Sequence, residues 1–237
     1  MYNFSIQLDD NSTYFHYGIS NIELKDGFFG LWLRDFNDEQ LKKRQEILIK
    51  SMQKIVLYSV KVPVFDYESY EKMLKNASIL KIENIKISLS AIRDASDSTI
   101  EALKKIIDKA KEYGIKIVFE ASSNHSFFTF DFYNKIRLQG ATGLIFSPLE
   151  YIKQKKVPID VLKECNVSED ICFIRANDGL LDSGSPTLPG KGDGNISECA
   201  EFLLDKGYNG YFSFADYSNS FLISEIIRRY NEYLAAI

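Results

Sequence analysis

The side chains best suited to chemistry stand at the ends of short apolar runs. Glu120 ends the run GIKIVFE, and Arg175 ends the run DICFIR. A carboxylate in such a position can accept a proton, and a guanidinium there needs an anion nearby. His125 and Asn177 follow these two residues closely in the chain. We therefore predict that Glu120 and Arg175 are catalytic and that His125 and Asn177 contact a substrate.

Simpler structural roles compete with these assignments. Glu120 could cap the next helix or pair with Arg175, and His125 could be a partly exposed loop residue. A carboxylate that faces a pocket is costly unless it is satisfied by a partner or a ligand. The sequence leaves both interpretations of Glu120 open.

A loop rich in turn residues, RANDGLLDSGSPTLPGKGDG at 175–194, contains no His, Cys or Glu. Such loops approach ligands or reverse the chain tightly. Lys191 lies in this loop and is a predicted substrate contact. Two further predicted contacts are Glu23 and the single tryptophan, Trp32, which could stack on a sugar ring or only cover a rim.

Composition excludes several classes of protein. The 237 residues carry a formal charge of −4, and the longest basic cluster is KQKK, so nucleic acid is not the expected partner. Three cysteines without C-x-x-C spacing indicate reduced thiols in a cytoplasmic protein. The first residues, MYNFSIQLDD, do not read as a signal peptide, and no apolar run is long enough to span a membrane.

The elements that must position these side chains alternate between strand and helix. Strands are predicted at 4–8, 20–25, 54–60, 84–90, 114–120, 141–147, 170–176 and 210–215. Eight strand–helix repeats in this length predict an α/β protein, a single (β/α)8 TIM-barrel domain over residues 1–237. An open doubly wound sheet is the competing fold, but no glycine-rich phosphate turn follows the first strand.

Two helices have recognisable ends. STIEALKKIIDKAKEYG opens with a capping box at Ser98 and stops at Gly114, and NISECAEFLLDKG runs in the same way from Asn195 to Gly207. A last amphipathic helix is predicted over NSFLISEIIRRYNEYLAAI. In a barrel, catalytic residues follow the carboxyl ends of the strands, where the candidates named above are found.

The C-terminal third resembles a known family. Pro189-Gly190-Lys191-Gly192-Asp193, a helix and then Gly207-Tyr208-Asn209-Gly210 are similar in order and spacing to the end of xylose-isomerase-like sugar isomerases and epimerases. YGISNIELKDG resembles strand 2 of that superfamily and GIKIVFEASSNH its strand 5. The resemblance implies a sugar or sugar-phosphate isomerase or epimerase that transfers a proton next to a carbonyl.

The resemblance also implies a divalent metal, yet most of its ligands are replaced. Glu120 keeps the strand 5 ligand position, Ser147 stands where strand 6 has Asp, and Ala215 stands where strand 8 has Glu. Phe173 or Ile174 takes the place of the strand 7 His. We therefore expect no cofactor, with Glu120 the one retained position for Mn, Mg, Co or Zn. Arg175 could replace the electrostatic role of the ion.

Two functions remain open. One is an isomerase or epimerase with altered chemistry, and the other is a catalytically silent relative that binds a ligand or a protein partner. A DNA-repair endonuclease on the same barrel is disfavoured because two histidines, His16 and His125, cannot supply its metal ligands. The expected partner is a small polar or anionic sugar-like molecule, and the 14 Tyr and 17 Phe favour a homodimer.

Overall fold

A computed structural model of the chain describes residues 3–8, 19–28, 30–166 and 168–215, together with 225, 228, 229, 231 and 232. Three features singled out in the sequence therefore lie outside the described residues. These are His16, the start of the loop after the first strand, and most of the predicted last helix.

Ten strands are described, and eight of them form a closed parallel barrel. The strands are β1 (Asn3–Gln7), β2 (Asn21–Lys25), β3 (Lys54–Val60), β4 (Asn84–Ile87), β5 (Lys116–Glu120), β6 (Thr142–Phe146), β7 (Ile171–Arg175), β8 (Asp178–Gly179), β9 (Pro186–Thr187) and β10 (Tyr211–Phe214). The barrel order is β1-β10-β7-β6-β5-β4-β3-β2, while β8 and β9 form a small antiparallel ladder. The predicted (β/α)8 barrel is confirmed.

Seven α-helices are described between the strands in the ranges given above. They are α1 (Asp38–Lys50), α2 (Tyr67–Ile79), α3 (Asp97–Glu112), α4 (Phe130–Ile136), α5 (Pro148–Lys153), α6 (Pro158–Glu164) and α7 (Ile196–Asp205). The amphipathic pattern of α3 buries Leu103, Ile106 and Ile107 completely, and burial of each such side chain stabilises the fold by about 1.5–3 kcal/mol. No helix among the described residues is long and apolar enough to cross a bilayer.

The chain divides into two compact units. The first comprises residues 1–7, 120–126 and 144–237, and the second comprises 8–119 and 127–143. In the first unit β10 pairs with β1 and β7, and β7 pairs with β6. In the second unit β2, β3, β4 and β5 pair in sequence. The predicted boundaries of one domain, 1–237, stay a prediction.

Candidate active site

A buried ion pair joins the ends of two strands in the first unit. The Arg175 Nε atom lies 3.1 Å from Glu120 Oε1, and its Nη2 atom lies 3.5 Å from Oε2. Arg175 also donates through Nη1 to the Ser213 hydroxyl. The Arg175 side chain is 0% exposed, whereas the Glu120 side chain keeps 10% of its surface exposed. Glu120 is therefore the member of the pair that a ligand can reach.

Strand register explains why these residues meet. Ser213 of β10 is in register with Arg175 of β7, so both side chains point to the same face. Phe173, two residues before Arg175, shares that face and stacks on Tyr211 with ring centroids 5.0 Å apart. Ile174 lies between Phe173 and Arg175 and points to the opposite face.

The donor set does not fit a divalent metal. The Glu120 carboxylate already faces a guanidinium, Phe173 and Ala215 offer no donor atom, and the Ser147 hydroxyl bonds to Asn177. Mg²⁺ and Mn²⁺ require several oxygen ligands. Throughout the described ranges, no group of three or more His, Cys, Asp or Glu side chains could hold a metal ion.

Asn177, two residues after Arg175, connects β7 to α5. It is almost fully buried, its Nδ2 atom donates to Ser147 Oγ at 2.9 Å, and its Oδ1 atom accepts from the Leu149 N–H at 3.3 Å. These bonds tie the end of β7 to the beginning of α5. The role of Asn177 as a substrate contact stays a prediction.

Asp178 organises the glycine-rich loop, and the sequence prediction did not include it among the site residues. Its Oδ1 atom accepts the N–H groups of Gly179 and Gly194 at 2.8 and 2.7 Å, and its Oδ2 atom accepts that of Gly192 at 2.9 Å. A Cβ atom on Gly192 would lie 2.3 Å from the Gly179 oxygen. The glycines are thus needed for close backbone approach, and the loop presents Lys191 as an exposed side chain.

Glu150 of α5 is a second residue that sequence reasoning missed. Its Oε2 atom accepts from the Ser123 N–H at 2.7 Å and from the Ser123 hydroxyl at 2.9 Å. Lys153 forms an ion pair with its Oε1 atom at 2.6 Å. This buried carboxylate fixes the loop that carries His125, but Glu150 lies far from Ser123 in sequence and no local motif marks it.

The remaining predicted contacts belong to the second unit. Glu23 is buried in β2. Trp32 is 42% exposed, and the Arg34 guanidinium lies 4.2 Å from the centre of its ring. Arg34 in turn lies 3.3 Å from the Ser69 hydroxyl and 3.8 Å from the Asp66 carboxylate at the beginning of α2. One face of the indole is therefore already used by a cation–π contact.

Comparison with solved structures identifies the fold. A xylose isomerase domain protein from Planctomyces limnophilus superposes with a TM-score of 0.75 at 11% identity, covering 99% of this chain and 96% of that one. A xylose isomerase-like TIM barrel from Mycobacterium smegmatis, in complex with magnesium, gives 0.72 at 14% identity, covering 98% and 95%. D-psicose 3-epimerase with D-tagatose from Clostridium cellulolyticum H10 gives 0.71 at 13%, covering 98% and 97%.

No protein-family model matches the sequence, and no curated protein matches it. The structural likeness confirms the predicted resemblance to xylose isomerase-like barrels at the level of the fold. At these identities it says nothing of the reaction, which has to be argued from the residues.

Proposed function

We propose that this protein is a sugar isomerase- or epimerase-like enzyme that transfers a proton next to a carbonyl without a divalent metal. The observation that carries the proposal is the partly exposed Glu120 carboxylate held against the buried Arg175 guanidinium. The structural neighbours include sugar epimerases and a sugar phosphate isomerase/epimerase, which supports the reaction class. The proposed ligand is a small polar or anionic sugar-like molecule.

In the proposed reaction, Glu120 takes the proton from the carbon next to the carbonyl. The electron pair of that C–H bond forms the C=C bond of an enediolate, and the carbonyl oxygen becomes an oxyanion. The positive charge of Arg175 stabilises the negative charge on the ligand, as a preorganised charge does in a water-poor site. Glu120 then returns the proton to the former carbonyl carbon. The hydroxyl on the carbon that was first deprotonated passes its proton to the oxyanion, so that this hydroxyl becomes the new carbonyl and the oxyanion becomes a hydroxyl.

A single carboxylate favours one of the two reaction types. Return of the proton to the neighbouring carbon on the same face needs one base and gives aldose–ketose isomerisation. Epimerisation at one carbon needs a proton donor on the opposite face, and Ala215 stands where relatives of this type are expected to carry that second carboxylate. Isomerisation is therefore the preferred form of the proposal.

Proton exchange with solvent tests the proposal without a known substrate. The protein is incubated with a panel of aldoses, ketoses and their phosphates in D₂O, and loss of the α-proton signal is followed by ¹H NMR. We expect exchange with at least one compound and a loss of about 10²–10⁴-fold in Glu120→Gln, the usual contribution of a general base.

Glu198→Gln, which removes an exposed carboxylate in the first turn of α7, is the matched control and should exchange like the wild type. Absence of exchange with the whole panel, or wild-type exchange in Glu120→Gln, would contradict the proposal.

A second function is favoured by the burial of Arg175. Because its guanidinium is fully buried and bonded to Glu120 and Ser213, the pair could serve only to hold the barrel strands together. The protein would then be a catalytically silent binder of a ligand or a protein partner. A compound that binds without any exchange of its α-proton would support this alternative.

We also propose a cellular compartment and an oligomeric state for the protein. All three cysteines are free, which supports a reducing compartment such as the cytoplasm. A role in carbohydrate metabolism is proposed from the sugar-like ligand alone. Homodimer formation remains a proposal that rests on the aromatic content, and sedimentation at several concentrations tests it.

A further inference from the structure

The carboxyl ends of β2, β3 and β4, all in the second unit, bring three polar residues into one lateral row. Lys25 is in register with Ser59, and Ser59 is in register with Lys86. Registered residues of neighbouring parallel strands point to the same face of the sheet. Because such strands lie about 4.8 Å apart, the Cα atoms of Lys25 and Lys86 flank Ser59 at a separation of about 10 Å.

This row lies on the face of the strands that is turned away from the helices. The next row down, on the opposite face, contains Tyr58, whose hydroxyl is close to the Asp26 carboxylate. Tyr70 of α2 donates its hydroxyl to the Val62 oxygen just beyond β3 at 2.8 Å, so this opposite face packs toward that helix. Side chains alternate along a strand, and Lys25, Ser59 and Lys86 therefore point into the barrel.

On the face that points into the barrel, and not on the helix face, side chains become more exposed toward the carboxyl ends of β2, β3 and β4. The inner-face residues deeper in the strands, Glu23, Leu57 and Asn84, are buried, whereas Lys25, Ser59 and Lys86 are half-buried. On the helix face the residues stay buried to the ends of the strands: Tyr58, Val60, Ile85 and Ile87. The inner face of these strands is thus most accessible at their carboxyl ends, which is where barrel proteins bind ligands.

The side chains of this row, Lys25, Ser59 and Lys86, suit a phosphate group. The two ammonium groups are compact charges that suit phosphate, whereas a carboxylate is matched better by the fork of an arginine. Ser59 adds a hydroxyl between them, and half-buried Ser88 follows Lys86 on the same face. On these three strands the inner face carries one negative charge, Glu23, and the two lysine charges. Phosphate carries about −1.5 to −2 at pH 7 and offers three acceptor oxygens.

We propose that Lys25, Ser59 and Lys86 form a binding site for a phosphate group, carried by inorganic phosphate or by a phosphate monoester of a small metabolite. All three residues belong to the second unit, and phosphate binding there requires neither Glu120 nor the proposed proton transfer.

Calorimetric titration at constant ionic strength tests the site with inorganic phosphate, glycerol 3-phosphate, glycerol and acetate. We expect saturable binding of the two phosphate compounds and none of glycerol or acetate. Tighter binding of glycerol 3-phosphate would assign the site to a monoester, and equal binding would assign it to inorganic phosphate. Because no turnover is measured, the result is separate from that of the exchange experiment.

Substitutions of the two lysines test whether phosphate binds at this row. Loss of one charge-assisted contact should weaken binding roughly tenfold, so the double variant Lys25→Met/Lys86→Met should bind roughly a hundredfold more weakly. Lys104→Met, an exposed lysine of α3, is the matched control and should bind phosphate like the wild type.

A variant that preserves charge covers the case in which the double variant does not fold. Ser59→Ala should keep the fold and weaken phosphate binding severalfold. The proposal is overturned if the wild type binds phosphate no better than acetate. It is equally overturned if both Ser59→Ala and Lys25→Met bind with wild-type affinity.

Discussion

Arg175 and Glu120 face each other in a nearly dry environment, and such a pair depends on both members being present. Removal of one partner leaves a buried charge without its counter-ion, which costs about 3–5 kcal/mol. We therefore expect Arg175→Met to lower the free energy of unfolding by about that amount. The double variant Glu120→Leu/Arg175→Met should recover most of the loss, because apolar residues of similar size replace buried ion pairs well. Urea unfolding followed by circular dichroism measures both.

Lys104→Met, which removes a solvent-exposed cation, serves as the control and should change stability by less than about 0.5 kcal/mol. A double variant as unstable as Arg175→Met would mean that apolar packing cannot replace the pair. A stable double variant would provide a folded protein without Glu120, and the proposed reaction requires that it show no proton exchange.

The loop between β7 and α7 depends on one carboxylate with two accepting oxygens. Asp178→Asn replaces one of these oxygens by an NH₂ group, which then meets a backbone N–H instead of accepting from it. Loss of a buried hydrogen bond in this way costs about 1–3 kcal/mol. We expect Asp178→Asn to destabilise the protein by that amount and to speed proteolytic cleavage within 180–194. Asp182→Asn, the same change at an exposed position of the loop, should leave both measurements unchanged, and equal effects of the two substitutions would refute the role of Asp178.

Local sequence predicted the strands better than the details of the helix ends. All eight barrel strands were predicted within a few residues, because alternating apolar runs reflect burial directly. The N-cap of α3, however, lies two residues earlier than predicted: it is Ser96, whose side chain accepts the Thr99 N–H, and not Ser98. Asp94 accepts hydrogen bonds from Ser96 and Thr99 and so fixes Ser96 as the cap, a choice that three neighbouring hydroxyl residues leave undecided in the sequence.

At the scale of the whole chain, the candidate residues could be predicted by position, whereas the contact between Glu120 and Arg175 was only one of the two roles that the sequence left open for Glu120. The barrel rule identified the strand ends that carry Glu120 and Arg175. The contact between them joins residues 55 positions apart, and the bonds of Glu150 to the Ser123 loop are similarly non-local. Local patterns carry no information on such contacts, since they arise only when the strands acquire their register. The poor metal-binding chemistry of Ser147 and Ala215 was visible in the sequence because it concerns residue types alone.

The residues around Glu120 predict how the thermal stability of the whole molecule responds to metal ions. A divalent ion that binds the folded protein at a hundred times its Kd adds about 2.7 kcal/mol of stability, which for a chain of this length raises Tm by roughly 5–10 °C. We expect EDTA-treated protein to show no such rise with Mn²⁺, Mg²⁺, Co²⁺ or Zn²⁺, because a guanidinium faces Glu120, Phe173 and Ala215 lack donor atoms, and the Ser147 hydroxyl already bonds to Asn177. The variant Arg175→Gln separates the effect of the guanidinium from that of the missing donor atoms. A rise in Tm with metal confined to this variant would mean that the guanidinium alone excludes the ion. A rise in Tm of the wild type would contradict the metal-free chemistry proposed for Glu120.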